Sequence, residues 1–432
     1  MIVKSMTLRP IDQGITGEIT VPGDKSISHR SVIFASLASG TSTITNFLAG
    51  EDCLRTINVF RSLGVNIDQD GTKVSIKSDG VGRLKEAECP VYFGNSGTTA
   101  RLVTGVLASL PLFTTCYGDP SLSNRPMDRV ITPLSKMGAN IQGRDNNRLL
   151  PIAISGKTLK GITYEMPVKS AQVKSAILLA GMLGEGETTV IEQVKTRDHT
   201  EQMLPRFGVG VEVEGLKITI KGGQRPHSAD IAVPGDISSA AFFLVAAAVI
   251  PGSHITVKDV GLNETRTGII TALEKMGANI QTTVTRTIGS EPVGDIEVKY
   301  APLKGSIMEG DLIPALIDEL PILALAATQA EGKTIIKDAE ELRVKETDRI
   351  AAVADVLTKL GADVTEQPDG LIIHGKSVLR SAEVDSYMDH RIGMMVAIAS
   401  LLAEGNIQLT NSECIAISYP DFFKDLEYII KK

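Results

Sequence analysis

The chain repeats itself, and the repeat limits its folds more than any single motif does. A run of small and apolar residues, opened by a polar or glycine-marked turn and closed by Gly or Pro, occurs six times at intervals of roughly seventy residues. The runs are GDKSISHRSVIFASLASG from Gly23, GNSGTTARLVTGVLASLP from Gly94, VKSAQVKSAILLAGMLGEG from Val168, GDISSAAFFLVAAAVIPG from Gly235, DELPILALAATQAEG from Asp318 and DHRIGMMVAIASLLAEG from Asp389. Helices so apolar on every side are expected to be buried.

A second pattern alternates with the first. FRSLGVNI, LSKMGANI, LPRFGVGV, LEKMGANI and LTKLGADV each read as an amphipathic helix that ends in Gly and runs into an alternating strand. Gly64, Gly138, Gly208, Gly277 and Gly361 suit the left-handed residue that closes a helix. A sixth copy is not apparent, and DFFKDLEYII near the C-terminus reads as its remnant. Each unit therefore has two helices and three or four short strands, and six units group into two halves of three. Such an array could serve as an interaction scaffold. The polar residues at the turns differ sharply between copies, however, and a scaffold has no need of that.

Composition narrows the classes. The chain has 432 residues, 43% hydrophobic, enough for large cores in two or three domains. A net charge of −7 and an aromatic content of 4% without Trp argue against a nucleic-acid surface, and the charge also against an acidic membrane. Cys53, Cys89, Cys116 and Cys414 form no metal-ligand pattern and suit a reducing cytosol. The opening MIVKSMTLRP reaches Pro10 before any apolar core forms, unlike a signal peptide, and the apolar run Ala240–Ile250 is too short to span a bilayer. A cytoplasmic protein is expected.

The distinctive polar residues stand at the starts of the buried helices, where free N–H groups and the helix dipole favour an anion. They are Lys25, Ser26 and Arg30, then Asn95, Ser96, Gly97, Thr98 and Arg101, then Ser170, Gln172 and Lys174, then Asp389, His390 and Arg391. SNRPMDR adds Arg125 and Arg129, and LRVKETDR adds Arg343, Lys345 and Arg349 beside Glu346 and Asp348. If LRVKETDR is helical, Lys345 and Arg349 lie four apart on one face and repel each other until an anion binds. Several arginine forks suggest ligands with several acidic groups. There is no Walker motif or GxSxG, and FGVGVEVEG lacks the third glycine of a dinucleotide fingerprint. His29, His199 and His390 lack metal-ligand spacing and read as structural hydrogen-bonders.

GDKSISHR, GNSGTTARL, RPMDRV, KSAQVKSA, RVKETDR and DHRIGM, in this order, closely resemble the 3-phosphoshikimate 1-carboxyvinyltransferases, or 5-enolpyruvylshikimate-3-phosphate synthases. KSAQVKSA and TRDHTEQM are similar to the second, glyphosate-tolerant bacterial class. The resemblance implies an α/β fold with two domains, an inside-out α/β barrel of six βαβαββ units, three per domain. It places one domain at residues 1–20 plus 236–432 and the inserted one at 21–235. The hinge would fall near Val21–Asp24 and Val233–Asp236, the two copies of VPGD.

The implied reaction moves the enolpyruvyl group of phosphoenolpyruvate to the 5-hydroxyl of shikimate 3-phosphate and releases phosphate, a step towards chorismate and the aromatic amino acids. No metal or organic cofactor is implied. Glyphosate is the implied inhibitor and a monomer the implied state. By motif, Lys25, Ser26, Arg30, Ser170, Gln172, Arg197, Asp318 and Lys345 would contact shikimate 3-phosphate. Lys25, Gly97, Arg125, Gln172, Arg349 and Arg391 would hold phosphoenolpyruvate. Asp318 is assigned as base for the hydroxyl and Glu346 as acid at the methylene carbon, with Lys25 able to share that role. A carboxylic acid among cations is normally ionised, so Glu346 needs burial or substrate charge to hold a proton. One departure stands out: where first-class members carry a lysine before the PDFF-like motif, this chain has Ile417. The sister enzyme that acts on UDP-N-acetylglucosamine carries a cysteine in the loop before its RP motif. Here that loop is GDPSLSNRP, without cysteine.

Overall fold

The computed structural model describes residues 5–431, and within them the chain forms two compact units. The outer unit takes in the chain up to Pro22 and again from Pro234 onward, and the inner unit runs from Gly23 to Val233. Residues 1–4 and 432, which the expected domain ranges and the signal-peptide reading include, lie outside the described residues.

Each unit carries three small sheets and its own apolar core. The second sheet of the inner unit shows the plan. Val91–Tyr92 pairs in parallel with Phe113–Tyr117, which pairs antiparallel with Leu149–Ser155, which in turn pairs antiparallel with Asn140–Gly143. A parallel pair needs a crossover, and the helix Gly97–Ala108 supplies it. The amphipathic helix Asp128–Lys136 then leads into the antiparallel hairpin.

The six apolar runs are the six buried helices. Lys25–Leu37, Gly97–Ala108 and Ala171–Leu183 lie in the inner unit, and Ile237–Val249, Leu320–Gln329 and His390–Ser400 in the outer one. Ile237–Val249 is buried at every position, and among the described residues no helix is long and apolar enough to cross a membrane. Small side chains let the crossover helices touch. A Cβ added to Gly105 would lie 2.3 Å from the Ala176 carbonyl oxygen of the neighbouring helix, so any larger residue would force the two apart.

The amphipathic pattern holds with one local exception. All five closing glycines have positive φ, from 74° at Gly208 to 97° at Gly138. The segment before Gly208 is not one continuous α-helix, however. It is a single turn, His199–Met203, followed by a 3-10 turn, Leu204–Phe207. Pro205 lacks an N–H and its ring crowds the preceding turn, which explains the break.

The sixth unit is completed from the other end of the chain. Glu383–Asp385 pairs in parallel with Ile407–Thr410, and the antiparallel neighbour of Ile407–Thr410 is Ser5–Leu8. The side chains of Thr7 and Gln408 hydrogen-bond although 401 positions separate them. The DFFKDLEYII segment forms the helix Phe422–Ile430.

The two VPGD turns exchange strands between units. Thr16–Thr20 precedes the inner helix Lys25–Leu37 but pairs with the outer strand His254–Gly261. Ile231–Ala232 precedes the outer helix Ile237–Val249 but pairs with the inner strand Ser39–Thr45. Each turn thus separates a strand of one unit from a helix of the other. Gly23 is required at the first turn, because a Cβ there would lie 1.9 Å from the Asn46 carbonyl oxygen.

Candidate active site

In the inner unit, three helix starts present the expected residues. Asp24 caps Lys25–Leu37 by accepting the Ile27 N–H at 2.8 Å. Lys25, just beyond the cap, pairs with Asp52 at 3.1 Å and keeps part of its side chain exposed. Arg30, one turn further in, is buried. Its Nε donates to Thr200 Oγ1 at 2.8 Å, Nη2 to Ser175 Oγ at 2.8 Å and Nη1 to the Ser26 carbonyl at 3.1 Å. These bonds tie the first helix to the third and to the turn after Arg197. His29 is also buried, with Nδ1 2.7 Å from Thr56 Oγ1. Burial, then the charges of Lys25 and Arg30, push its pKa well below the usual 6.5, so the ring is neutral. That is the structural hydrogen-bonding role expected of it.

Ser96 caps the second helix, Gly97–Ala108. A Cβ on Gly97 would lie 3.3 Å from Nη1 of both Arg101 and Arg125, so the backbone here runs directly beneath two guanidinium groups. Arg125 is held by the Asn95 carbonyl at 3.3 Å, the Asn95 side-chain oxygen and Ser121 Oγ at 3.2 Å. Asn95 is fixed in turn by Asp119 at 2.7 Å. Ser170 caps the third helix by accepting the Val173 N–H at 3.4 Å. Gln172 accepts from Arg101 and donates to Thr98 Oγ1 at 2.9 Å, joining the second helix start to the third.

Lys174 departs from the helix-start expectation. It is fully buried, 3.0 Å from Glu192 Oε2 and 2.6 Å from Glu201 Oε1, and so serves the interior. Burial raises the pKa of Glu201, and Lys174 opposes that rise.

In the outer unit the charges gather round Asp318. Lys345 Nζ and Arg349 Nη1 each lie 3.3 Å from Asp318 Oδ1, and Arg391 Nη2 lies 3.9 Å from Oδ2. Arg349 is 1% exposed. Its Nη2 donates to Glu346 at 2.7 Å and its Nε to Asp389 at 2.8 Å. Burial opposes its charge, but Asp389, Glu346 and Asp318 outweigh that and raise its pKa. The helical reading of LRVKETDR does not hold. Asp348 caps a helix that begins only at Arg349, and Lys345 is extended. The two cations are not stacked on a helix face; one carboxylate accepts both. Arg343 is engaged away from Asp318, with Asp348 at 2.7 Å and the Gln367 and Pro368 carbonyls.

Ile417 ends the 3-10 turn Ser412–Ile417 and packs against the outer core, so that position is apolar in structure as in sequence. Cys116 is buried in the strand Phe113–Tyr117, and burial pushes its thiol up to about 12. It is therefore an inert core residue.

The family model of EPSP synthase (3-phosphoshikimate 1-carboxyvinyltransferase) matches residues 10–426. This chain belongs to that family. The 3-phosphoshikimate 1-carboxyvinyltransferase of Oceanobacillus iheyensis is 54% identical over 99% of both chains. The enzyme of the same name from Bacillus thuringiensis subsp. konkukian is 52% identical over 99% of this chain and all of its own. Among solved structures, the EPSP synthase of Acinetobacter baumannii has 44% identity and a TM-score of 0.87 over 98% of each chain. The enolpyruvyl transferase NikO of Streptomyces tendae, at 16% identity and a TM-score of 0.77, shares the fold. Membership of the EPSP synthase family settles the six-unit, two-domain architecture read from the repeats, and it does not favour the UDP-N-acetylglucosamine enzyme.

Several residues that hold the EPSP synthase motifs in place were not singled out from the sequence. Asp52 faces Lys25, Ser175 and Thr200 orient Arg30, and Asp119 fixes Asn95. Each lies 24 positions or more from the residue it serves; Ser175, Thr200 and Asp119 fall inside quoted motifs, but the sequence does not say which cation or amide each one holds.

Proposed function

We propose that the motif residues act on phosphoenolpyruvate and shikimate 3-phosphate. The reaction is transfer of the enolpyruvyl group of phosphoenolpyruvate to the 5-hydroxyl of shikimate 3-phosphate. The observation that carries the residue assignment is the set of three cations, Lys345, Arg349 and Arg391, around the single carboxylate of Asp318. A carboxylate poised among cations can take a hydroxyl proton while the same cations hold anionic substrates.

In this reading Lys25, Ser26, Arg30, Ser170, Gln172, Arg197, Asp318 and Lys345 hold shikimate 3-phosphate. Lys25, Gly97, Arg125, Gln172, Arg349 and Arg391 hold phosphoenolpyruvate. Asp318 removes the 5-hydroxyl proton as the oxygen bonds to C2 of phosphoenolpyruvate. The C2–C3 electron pair takes a proton from Glu346, or from Lys25, to give a methyl group on a tetrahedral intermediate. Loss of that methyl proton then re-forms the double bond as the C2–O bond to phosphate breaks. Glu346 accepts from Arg349. Phosphoenolpyruvate binding to Arg349 competes for that guanidinium and leaves Glu346 better able to hold the proton.

Glyphosate is read as a competitor at the phosphoenolpyruvate subsite, and the protein as a cytoplasmic monomer. Its four cysteines are free thiols, as a reducing compartment requires. The test is phosphate release from phosphoenolpyruvate with and without shikimate 3-phosphate. Release that depends on shikimate 3-phosphate is expected. Release only with UDP-N-acetylglucosamine, or none with either acceptor, overturns the reading.

A further inference from the structure

The two VPGD turns lead into helix starts that treat negative charge differently. At Lys25–Leu37 the start carries Lys25, Ser26 and Arg30. At Ile237–Val249 the corresponding positions are Ile237, Ser238 and Phe242, and the whole helix is buried. A carboxylate of the protein itself stands at this second start. Ser238 Oγ donates to Glu319 Oε1, and Arg266 Nη2 donates to Ser238 Oγ at 2.9 Å and to the cap residue Asp236 at 3.0 Å. Glu319 is 0% exposed and stands next in the chain to Asp318.

Arg391 links the two carboxylates. Its Nη1 lies 3.9 Å from Glu319 Oε1 and its Nη2 lies 3.9 Å from Asp318 Oδ2. Both distances are too long for a hydrogen bond and short enough for strong attraction in a buried setting. The guanidinium stands at the same distance from both and hydrogen-bonds to neither. Without the charge of Glu319, it would close on Asp318, which already faces Lys345 and Arg349. That would tie up the base and withdraw Arg391 from an incoming substrate.

We propose that Glu319 is a positioning residue that holds Arg391 off Asp318 and so keeps both available. The inference rests on the roles of Asp318 and Arg391 given above. The charged groups facing this pair include Lys345 and Arg349 on Asp318, Glu346 and Asp389 on Arg349, and Arg266 with Asp236 behind Ser238. Asp389 also accepts the Arg391 N–H at 2.8 Å, and His390 is the buried neighbour in sequence.

Two variants test the proposal with opposite signs. Glu319→Gln removes the charge. Arg391 then moves to Asp318, which favours the ionised base. The acidic limb of the kcat/KM profile shifts to lower pH, and the KM for phosphoenolpyruvate rises by roughly tenfold, the effect of one lost charge contact. Binding of shikimate 3-phosphate alone, by calorimetry, changes less. Glu319→Asp, which keeps the charge, returns the limb towards its original position. Ser238→Ala frees a lone pair of Glu319 for Arg391, draws the guanidinium away from Asp318 and shifts the limb to higher pH. This second variant decides the matter if Glu319→Gln does not fold. An unmoved acidic limb in a folded Glu319→Gln enzyme, or a Ser238→Ala shift to lower pH, overturns the proposal. If the parent enzyme itself released no phosphate, the proposed function would be at fault instead.

Discussion

Gly97 and Lys25 show how much a single residue can carry. An alanine methyl at position 97 would meet the Arg101 and Arg125 guanidinium groups at 3.3 Å, so each must yield by a few tenths of an ångström. The proposed phosphoenolpyruvate subsite would narrow by that amount. Gly97→Ala should therefore weaken glyphosate inhibition about tenfold or more, with a smaller rise in the KM for phosphoenolpyruvate, read from inhibition curves at fixed substrate. An unchanged inhibition constant would remove Gly97 from the subsite. Lys25→Met should lower turnover by a factor of about a hundred or more in the phosphate assay. The cost to folding should be small, because the Asp52 it leaves behind is 11% exposed and can recruit water. A thermal melt within a few degrees of the parent would separate the two effects. At this scale the sequence was informative for cations and poor for their partners. The motifs name Lys25, Arg30 and Arg349, three cations of the proposed substrate contacts. Asp52 and Ser175 serve Lys25 and Arg30 across the fold, and the sequence does not announce which residue each one faces.

Among elements, the helix Ala171–Leu183 carries a test of what lies beneath the site. Ser170 and Gln172 stand at its start, while Lys174 one turn inside pairs with both Glu192 and Glu201. Lys174→Met leaves two buried carboxylates with no cation between them. The expected loss is about 3–5 kcal/mol in denaturant unfolding. Pairing it with Glu201→Gln should recover part of that loss, and a double variant no more stable than the single one would contradict the account. The buried helices and their crossovers were legible because small apolar runs and closing glycines are local signals. Two element-scale features were not. Pro205 splits a segment whose amphipathic spacing looked continuous. The capped start at Arg349 leaves Lys345 outside a helix that the charge pattern alone allowed to extend through both. In each case one residue's backbone preference overrode a side-chain pattern.

For the molecule as a whole, the proposed substrate contacts come from both units, yet most of the cations already face carboxylates of their own unit. Lys25 has Asp52, and Lys345, Arg349 and Arg391 share Asp318. An anionic substrate therefore has to compete with those carboxylates for each cation. Binding of shikimate 3-phosphate with glyphosate, read by calorimetry, should therefore weaken as salt is added. Affinity that does not respond to salt would count against ion pairing as the source of binding. The six-fold repeat was readable because each copy keeps its helix and its turn. Completion of the last copy by Ser5–Leu8 was not, since that pairing spans nearly the whole chain and leaves no period to detect.

That pairing also orders events during synthesis. The inner unit is one unbroken stretch, Gly23–Val233, and contains every strand of its own three sheets. It can fold while the ribosome is still working. The segment before it cannot. Thr16–Thr20 waits for His254–Gly261, and Ser5–Leu8 waits for Ile407–Thr410, so the first strand of the described residues is among the last to find its neighbour.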